Sequence, residues 1–495
     1  MTSVNETSRS IVDAAVAAAT DAARASVRES YETRAGWLEA LAETLDSHAP
    51  ELIALADDES RLGEKRLTGE LARTSAQLRL FASVVREGSF LEATIDHTDP
   101  SATPPIPDLR RMLVPLGPVV VFAASNFPFA FSVLGGDTAS ALAAGAPVIV
   151  KAHEGHPALS RRVAELGAQA LEGAGAPSGL LQLVEGREAG VELVRHPDVR
   201  AVGFTGSLAG GRHLFDLAVQ RPEPIPFYGE LASINPVVVT PGAVESSIDE
   251  IVDGLLGSFT MGVGQFCTKP GVVLSPAGAD LAGRLATKVD ADAAGDPASP
   301  PMLNDRIRAG FHDRLSGLAG QEGVDVVAGA DVVDSEERTS PVVLRTTVQR
   351  VLESPEVLLE EVFGPATLIV DYDSEEDVRA ALGVLPGSLT ATLHAAPGEE
   401  LARTLVPALG ERAGRVLFGG WPTGVAVSHG QHHGGPYPST TSIHTSVGTT
   451  AIRRWLRPVT YQTTPDDLLP EPLQEANPLG IPRRVDGQLV LADHA

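Results

Sequence analysis

The N-terminal part of the chain carries apolar side chains at the spacing of amphipathic helices. Members of one predicted helix face recur three or four positions apart, as in Val12, Ala15, Val16 and Ala19. The pattern continues to about residue 62, and a further amphipathic helix is predicted from Glu64 to Glu87. Pro, Thr and Asp dominate residues 94–107, so we expect a linker or an excursion from the core there.

Short runs of β-branched and other apolar residues begin at residue 119 and alternate with helical stretches. The first set of runs occupies residues 119–123, 148–150, 199–204 and 237–239. Such continuous runs are typical of strands that are buried on both faces of a parallel sheet. Their alternation with helices predicts right-handed βαβ units, the usual scaffold for a dinucleotide. We therefore predict an α/β fold with a Rossmann-like cofactor domain.

The alternation resumes after residue 246, which predicts a second α/β domain. Its strands are expected near Val272 and within residues 324–327, 368–370, 389–393 and 416–418. Residues 462–495 are rich in Pro and Leu and have little periodicity. We expect them to form an extended tail on the surface.

Composition narrows the class of protein. The 495 residues are 43% hydrophobic and 21% charged, enough for several cores, so a large enzyme is expected. A formal charge of −26 argues against a nucleic-acid partner. Apolar runs fall short of the roughly 18 residues of a membrane span, and the polar N-terminus is unlike an export signal, so we expect a cytoplasmic protein. One cysteine excludes an intramolecular disulfide framework and a thiolate-rich metal site.

That cysteine, Cys267, lies in a loop that contains Gly262 and Gly264 and is followed by Pro270. An isolated cysteine is in general a small buried apolar residue, but a glycine-rich loop places a thiol for reaction rather than for packing. We predict that Cys267 is a nucleophile. Lys269, two residues further on, is expected to favour its thiolate.

Two polar residues that follow predicted strands are candidates for the same chemistry. Glu230 comes after the apolar stretch at residues 225–227, and the carboxyl ends of parallel strands are where α/β enzymes keep their sites. Burial is expected to raise its pKa toward neutrality, which suits a general base. Asn126 follows the strand at residues 119–123, and its amide is suited to donate to an oxyanion. Taken singly, each is more simply a loop glutamate or a turn asparagine.

A glycine-containing turn marks a candidate cofactor site. Residues 204–207 read Phe-Thr-Gly-Ser and join a strand to a helix, with Gly206 inside the turn and Gly211 in the first helical turn. Ser207 is predicted to cap this helix. The free amides of the helix N-terminus then form a binding site for a pyrophosphate.

Taken in chain order, these segments resemble the aldehyde dehydrogenase superfamily over nearly the whole chain. The matching motifs are Asn before Phe-Pro (Asn126), Phe-Thr-Gly-Ser (204–207), Glu-Leu (Glu230, Leu231), Gly-Gln-x-Cys (264–267) and Glu-x-Phe-Gly-Pro (361–365). The resemblance implies NAD(P)-dependent oxidation of an aldehyde through a thioester on Cys267. Asn126 is then the oxyanion donor and Glu230 the general base, while Leu231, Glu361 and Phe363 contact the cofactor.

Departures from the family pattern indicate a branch. Ser125 stands where many members carry tryptophan, and Ala232 and Ser233 replace the usual pair of glycines after Glu-Leu. Residues 433–441 read His-Gly-Gly-Pro-Tyr-Pro-Ser-Thr-Thr where many members have Gly-Gly-x-Lys-x-Ser-Gly. This variant resembles the α-ketoglutaric semialdehyde (2,5-dioxovalerate) dehydrogenase branch, which implies 2,5-dioxopentanoate as the substrate. Other semialdehydes and aliphatic aldehydes are the alternatives.

Substrate contacts follow by analogy with the substrate loop of the family. We expect Ser439, Thr440 and Arg453 to bind the carboxylate of the substrate, with Phe127 and Phe266 beside its chain. A coenzyme A-acylating dehydrogenase or a thiol hydrolase is a competing function, which the water-activating Glu230 disfavours. A third alternative is a catalytically dead, dinucleotide-binding structural protein. It is disfavoured because such a protein does not need Asn126, Glu230 and Cys267 together.

Cofactor choice depends on the residues after the strand at 148–150. Glu154 is expected beside the adenosine ribose, where its charge accepts a hydrogen bond from a 2′-hydroxyl and repels a 2′-phosphate. Lys151, helped by Arg187, offsets that charge. The sequence therefore favours NAD, with use of NADP also expected. The simpler alternative is that Glu154 only stabilises the start of the next helix.

The resemblance also implies an organisation into units. The cofactor-binding domain comprises residues 1–89 and 117–245, the catalytic domain residues 246–448, and a small β oligomerisation unit residues 90–116 and 449–462, followed by a tail at 463–495. An edge strand at residues 455–461 is expected to complete the sheet of a partner. A homodimer or a homotetramer follows.

A histidine cluster suggests a metal site. Its members are His429, His432, His433 and the nearby His444. We expect no metal, because neither an acidic nor a thiolate residue lies at ligand spacing in the sequence and the chemistry of the family needs none.

Overall fold

The computed structural model describes residues 6–295 and 300–491. Its α-helices are α1 Arg9–Ser26, α2 Tyr31–Ser47, α3 Ala49–Ser60, α4 Glu64–Glu87, α5 Gly136–Ala144, α6 Pro157–Gly173, α7 Arg187–Arg195, α8 Leu208–Val219, α9 Pro241–Thr260, α10 Leu281–Gly295, α11 Asp305–Ala319, α12 Ala330–Val333, α13 Val348–Glu353, α14 Pro355–Leu358, α15 Glu375–Val384 and α16 Glu400–Gly410. Its strands are β1 Thr94–Asp96, β2 Leu109–Pro115, β3 Val119–Phe122, β4 Val148–Lys151, β5 Leu181–Val184, β6 Ala201–Thr205, β7 Phe227–Glu230, β8 Val237–Val239, β9 Val272–Pro276, β10 Asp325–Ala328, β11 Val342–Thr347, β12 Ala366–Tyr372, β13 Ser388–His394, β14 Ala413–Phe418, β15 Leu456–Gln462, β16 Arg483–Val485 and β17 Gln488–Val490.

The N-terminal helices pack as their apolar spacing predicts. Helix α4 has the predicted bounds and ends at Gly88, whose φ of 80° is a conformation that glycine adopts without strain. Its apolar residues Leu67, Leu71 and Leu78 belong to the same buried cluster as Leu38 of α2. Among the described residues, no helix is both long enough and apolar enough to cross a lipid bilayer.

The first sheet has five parallel strands in the order β5-β4-β3-β6-β7. Its central strands are buried, in agreement with the continuous apolar runs. The connections run outward in opposite directions from β3 and β6, so a crevice opens at the carboxyl ends of these strands. The predicted parallel dinucleotide-type sheet is confirmed.

The second sheet has seven strands in the order β10-β11-β12-β9-β8-β13-β14. All neighbours are parallel except β10 and β11. The prediction that residues 237–239 belong to the first sheet is wrong, because β8 pairs with β9 and β13. A continuous apolar run shows that a strand is buried but not which sheet buries it.

The third sheet contains strands from two segments that were predicted to be irregular, residues 94–107 and the expected C-terminal tail. Its order is β15-β2-β1-β16-β17. Residues 94–107 contain β1, and the described part of the expected tail contributes β16 and β17. Strand β1 pairs with β2 on one side and takes β16 as a parallel neighbour on the other, with Ile95 opposite Val485. These strands have only three residues each, too few for sequence periodicity to reveal them. The predicted edge strand near residues 455–461 is present as β15.

Candidate active site

Cys267 lies on a loop that other parts of the chain hold in place. Helix α9 leads into this loop, where Gly264 has a φ of 65°. A Cβ atom on Gly264 would lie 2.3 Å from the carbonyl oxygen of Gly364, so only glycine fits this close approach. The side-chain amide of Asn235 donates to the carbonyls of Cys267 at 2.7 Å and of Lys269 at 2.9 Å. The backbone on both sides of the thiol is therefore fixed.

Glu230 ends β7 and is 3% exposed. The hydroxyl of Ser446 donates to its Oε2 at 2.8 Å, and Nε2 of His433 lies 3.1 Å from its Oε1. Burial by itself raises the pKa of Glu230, but the charge that His433 carries when it is protonated and these hydrogen bonds together outweigh burial and leave the pKa below its ordinary value. The prediction of a pKa raised toward neutrality is wrong, because it considered burial without its partners.

His433 lies between the carboxylate and the thiol. Its Nε2 is 3.6 Å from the Sγ of Cys267, and the ligating atoms of Cys267, Glu230 and His433 all lie within 4.8 Å of one another. The expectation that no acidic or thiolate group approaches the histidine cluster is wrong for this member. Two other members lie elsewhere: His429 is exposed, and His444 packs edge-on against Tyr228 at 5.4 Å.

Sequence reasoning missed His433 because spacing along the chain does not show that residues 433 and 230 meet. A signal was nevertheless present. His433 directly precedes the Gly434-Gly435 pair, which lies in the segment that resembles the substrate loop. A titratable side chain beside that pair is distinguished in this way from His429, which is exposed.

The thiol of Cys267 is not activated by Lys269. Burial, and then the charge of Glu230, raise the pKa of Cys267 well above its ordinary value. The Lys269 ammonium instead donates to the carbonyl of Ala366 at 2.6 Å, and burial lowers its pKa to about 8 against the opposing charge of Glu361. The predicted role of Lys269 is wrong, because its ammonium is hydrogen-bonded to Ala366 and interacts with the charge of Glu361.

Asn126 and two aromatic residues adjoin the nucleophile loop. The side-chain amide of Asn126 donates to the backbone carbonyl of Gln265 at 3.0 Å. The backbone carbonyl of Asn126 accepts from Nη2 of Arg66 at 2.5 Å. The rings of Phe127 and Phe266 are 5.3 Å apart and perpendicular. The structure thus brings together the predicted oxyanion donor, the nucleophile loop and both predicted substrate-contacting phenylalanines.

Two arginines of α4, which the sequence analysis did not single out, face the same region. The Cζ atom of Arg66 lies 4.7 Å from the ring centroid of Phe266 and 5.1 Å from that of Phe127. The Cζ atom of Arg73 lies 5.7 Å from the ring centroid of Phe131. In each guanidinium the Nη1 atom is buried and has no hydrogen-bond partner among the described residues. The site therefore has donors in excess of acceptors.

Glu70 lies between these arginines on the same face of α4, because positions 66, 70 and 73 are one turn apart. Its Oε1 accepts from the backbone amides of Phe129 and Ala130 at 2.8 and 3.0 Å. Burial raises the pKa of Glu70 and lowers the pKa of both guanidinium groups. Three charged residues that interrupt the buried face of a helix were the sequence signal for this feature.

Four of the predicted cofactor residues lie at the carboxyl end of the first sheet: Gly206, Ser207, Gly211 and Leu231. Ser207 caps α8, as predicted, by accepting from the amide of Gly210 at 3.3 Å. A Cβ on Gly211 would lie 2.1 Å from the Cδ2 of Leu231, so α8 packs closely on the chain after β7. The turn that contains Gly206 lies between these elements. A helix N-terminus at a parallel-strand crevice fits a dinucleotide pyrophosphate.

Lys151 and Glu154 lie at the end of β4, beside the same crevice. Nζ of Lys151 is 3.8 Å from Oε1 of Glu154. The lysine side chain is 11% exposed and that of the glutamate 41%. Glu154 thus points outward from the sheet edge with its charge partly balanced.

Glu361, which is predicted to contact the cofactor, lies beside Lys269 of the nucleophile loop. Burial raises its pKa to about 7, opposed by the charge of Lys269. It lines a small cavity of about 10 Å³ with Ser233 and Lys269. Phe363, two residues further on, is half-buried. The described contacts of this segment therefore support the nucleophile loop.

The residues predicted to bind the substrate carboxylate have other described partners. Ser439 Oγ donates to the carbonyl of Pro436 at 2.8 Å, and Thr440 forms an isolated β-bridge with Glu230. Arg453 is half exposed and forms an ion pair with Glu92 at 2.9 Å. The described contacts of Arg453 involve neither Cys267 nor Glu230.

Comparison with known proteins agrees with this geometry. A family model described as the aldehyde dehydrogenase family matches residues 1–460. The alpha-ketoglutaric semialdehyde dehydrogenase 2 of Azospirillum brasilense is 48% identical over 482 residues, covering 96% of this chain and 91% of that protein. The alpha-ketoglutaric semialdehyde dehydrogenase of Acinetobacter baylyi is 40% identical over 481 residues, covering 97% and 91%.

A solved structure has the same fold. The 3,6-anhydro-L-galactose dehydrogenase in complex with NAP aligns with a TM-score of 0.77 at 23% identity, covering 92% of each chain. A likeness at this level of identity establishes the fold alone. Together with the family match over most of the chain, it identifies this protein as a member of the aldehyde dehydrogenase family, an NAD(P)-dependent enzyme.

Proposed function

We propose that this enzyme oxidises α-ketoglutaric semialdehyde, 2,5-dioxopentanoate, to 2-oxoglutarate through a thioester on Cys267. The names of the two relatives support this substrate. The observation that carries the proposal is the pair of arginines, Arg66 and Arg73, whose buried Nη1 atoms lack acceptors near the reactive thiol.

The chemistry follows from the residues around Cys267. Its thiolate adds to the aldehyde carbon, and the Asn126 amide donates to the resulting oxyanion. When bound, NAD(P) supplies the acceptor for the hydride that leaves this carbon. Glu230 then takes a proton from a water molecule that attacks the thioester, and the carboxylic acid is released. A lowered pKa keeps Glu230 ionised and ready for this step at neutral pH.

Recognition of the substrate carboxylate is assigned to Arg66 and Arg73 in place of Arg453. A carboxylate accepts charge-assisted hydrogen bonds that are shorter and stronger than neutral ones. Burial lowers the pKa of both guanidinium groups, so an anionic ligand also offsets the cost of burying them. The ring of Phe127 contacts those of Phe131 and Phe266, and the three rings provide an apolar lining beside these guanidinium groups.

The test compares two aldehydes of equal length, 2,5-dioxopentanoate and pentanal. Arg66→Gln and Arg73→Gln should each lower kcat/KM for the keto acid by about 10-fold to 100-fold, because a hydrogen bond to a charged group contributes ~1.5–3 kcal/mol. The loss with pentanal should be much smaller. Arg79→Gln is the matched control, since Arg79 lies on the same helix but pairs with Asp46 at the surface. Equal losses with both aldehydes, or a selective loss in Arg453→Gln, would contradict the proposal.

For the cofactor, we propose a preference for NAD with use of NADP as well. Glu154 lies at the strand end where the adenosine ribose is expected, and its charge disfavours a 2′-phosphate. Lys151 at 3.8 Å offsets part of that charge, which supports dual use.

We also propose the division into cofactor, catalytic and oligomerisation units, with the first boundary moved ahead of Val237 because β8 belongs to the seven-stranded sheet. Strand β15 lies at the edge of the third sheet and is available for pairing with another chain. A homodimer or a homotetramer is the proposed assembly, and sedimentation velocity of the full chain and of a Val459→Pro variant tests it.

A further inference from the structure

His433 is a buried imidazole whose described side-chain hydrogen-bond contacts are all made by one nitrogen. Nε2 lies 3.1 Å from the Glu230 carboxylate and 3.6 Å from the Cys267 sulfur, while Nδ1 has no partner among the described residues. The ring is 1% exposed. Nε2 therefore lies within reach of both a carboxylate and a thiol.

The backbone holds His433 in this position. Its amide donates to Oγ1 of Thr445 at 2.8 Å, and its carbonyl accepts from the amide of Ser446 at 2.8 Å. Ser446 in turn donates to the other oxygen of Glu230, which fixes the carboxylate from its far side. The imidazole and the carboxylate are thus supported by the same loop.

We propose that His433 accepts the proton of the Cys267 thiol, so that Glu230 remains free to take its proton from water. The neutral imidazole carries its proton on Nδ1 and presents the lone pair of Nε2 to the thiol. The S–H bond breaks and an Nε2–H bond forms, which converts a neutral thiol and a neutral imidazole into a thiolate and an imidazolium. The total charge of the trio formed by Cys267, His433 and Glu230 does not change. The new N–H lies between two anions, the thiolate and the Glu230 carboxylate, and stabilises both.

The alternative acceptor for the thiol proton is Glu230 itself. Glu230 would then be protonated at the stage when it must activate water, and the proton would have to leave before deacylation. Burial and the charge of Glu230 raise the pKa of Cys267, so the thiol depends on a nearby acceptor to react at neutral pH. When the thioester is hydrolysed, the departing thiolate recovers the proton from Nε2. The starting state is restored once Glu230 has released to solvent the proton that it took from water.

Other charged groups act on the trio from the surrounding elements. The charges of Arg73 and Glu361 interact with those of Cys267 and Glu230. The charge of Arg415 interacts with that of Cys267, and the charge of His432 with that of His433. These four groups are unchanged in the His433 variants, so they contribute equally to the titration of the thiol in the wild type and in the variants.

The test uses the fact that Cys267 is the only cysteine of the chain. Alkylation by iodoacetamide, followed by intact mass as a function of pH, then reports on this thiol alone. In the wild-type enzyme the alkylation rate should show a plateau at mid pH, where the thiolate and the imidazolium coexist. His433→Gln keeps a hydrogen-bond donor but accepts no proton, and should remove the plateau and raise the titration midpoint by about one pH unit or more.

His429→Gln is the matched control, since this histidine of the same segment is exposed, and its profile should equal that of the wild type. His433→Asn serves as a second variant, with circular dichroism as the measure of folding for both. A wild-type profile with a single high titration and no plateau would overturn the proposal whatever the variants do. A plateau that disappears in Glu230→Gln but persists in His433→Gln would assign the proton to Glu230 and overturn it as well.

The inference rests on the proposed thioester chemistry but not on the substrate. The alkylation assay contains neither an aldehyde nor a dinucleotide. An error in the assignment of 2,5-dioxopentanoate therefore leaves its result unchanged, and a normal alkylation profile with no semialdehyde oxidation would count against the substrate alone.

Discussion

Asn235 connects the nucleophile loop to the neighbouring strand of the catalytic sheet through one side chain. Its amide donates to the Cys267 carbonyl at 2.7 Å, and its Oδ1 accepts from the backbone amide of Thr390 in β13 at 3.2 Å. The backbone φ of 48° is in the left-handed region, which asparagine tolerates better than most residues. Both the NH2 group and the oxygen of this side-chain amide are therefore engaged in hydrogen bonds.

Replacement of Asn235 by Asp should destabilise the enzyme and lower its rate. The carboxylate cannot donate to the carbonyls of Cys267 and Lys269, and it is left facing their oxygens in a buried position. A loss of ~2–3 kcal/mol in the free energy of unfolding is expected. Thermal denaturation measures it, with Asn477→Asp near the surface as the control. An unchanged Tm would mean that this network does not hold the loop.

Replacement of Cys267 by Ala should abolish aldehyde oxidation and leave dinucleotide binding intact. The thiol forms the covalent bond, whereas the proposed dinucleotide contacts lie at α8 and β4. Isothermal titration with NAD and steady-state reduction of NAD report the two properties separately. Residual turnover above background would contradict the covalent mechanism.

Replacement of Glu230 by Gln should give a burst of reduced cofactor followed by a stall. Acylation precedes the step that requires the base, so the first turnover survives. Stopped-flow absorbance of the reduced cofactor measures the burst. A variant with the full steady-state rate would remove Glu230 from the mechanism.

The same carboxylate predicts the acid limit of the wild-type enzyme. Its pKa lies below the ordinary 4.5, so the basic form is present above that pH and is lost only as the pH falls further. A steady-state profile should therefore show no loss assignable to Glu230 between neutrality and about pH 5. Deacylation measured from a preformed thioester checks this directly, and a decline near neutrality would contradict it.

Replacement of Glu154 by Thr should raise use of NADP several-fold relative to NAD. Removal of the charge relieves repulsion of the 2′-phosphate and leaves Lys151 free to attract it. The ratio of kcat/KM values for the two cofactors is the measurement, and Glu192→Thr, on the surface of α7, is the control. An unchanged ratio would show that Glu154 only stabilises the start of its helix.

Much of the fold was predictable because long elements leave a periodic signal. Helix α4 and the buried strands β3, β4 and β6 follow directly from apolar spacing. Assignment of β8 to the correct sheet was not predictable, because a run of three valines has the same appearance in either sheet. The three-residue strands β1, β16 and β17 are defined by their partners, not by their own sequences.

The site was predictable where a local motif carries the chemistry. Cys267, Glu230 and Asn126 each follow a strand or a glycine loop, and the structure brings them together. His433 and Arg73 join them from 166 positions beyond Cys267 and from α4, and no local pattern shows such meetings. The directions of the pKa shifts depend on those same distant partners, so the predictions for Glu230 and for Lys269 failed together.

The pairing of Ile95 with Val485 sets an order of events during synthesis. Strand β1 is made early, yet its parallel neighbour β16 is among the last segments to leave the ribosome. At about 5–20 residues per second, the interval between them is roughly 20–80 s. Contacts this distant in sequence close slowly, so the third sheet is completed after the cofactor and catalytic sheets have had time to form. A chain released early would expose one edge of β1, with its unpaired amide and carbonyl groups, to other chains.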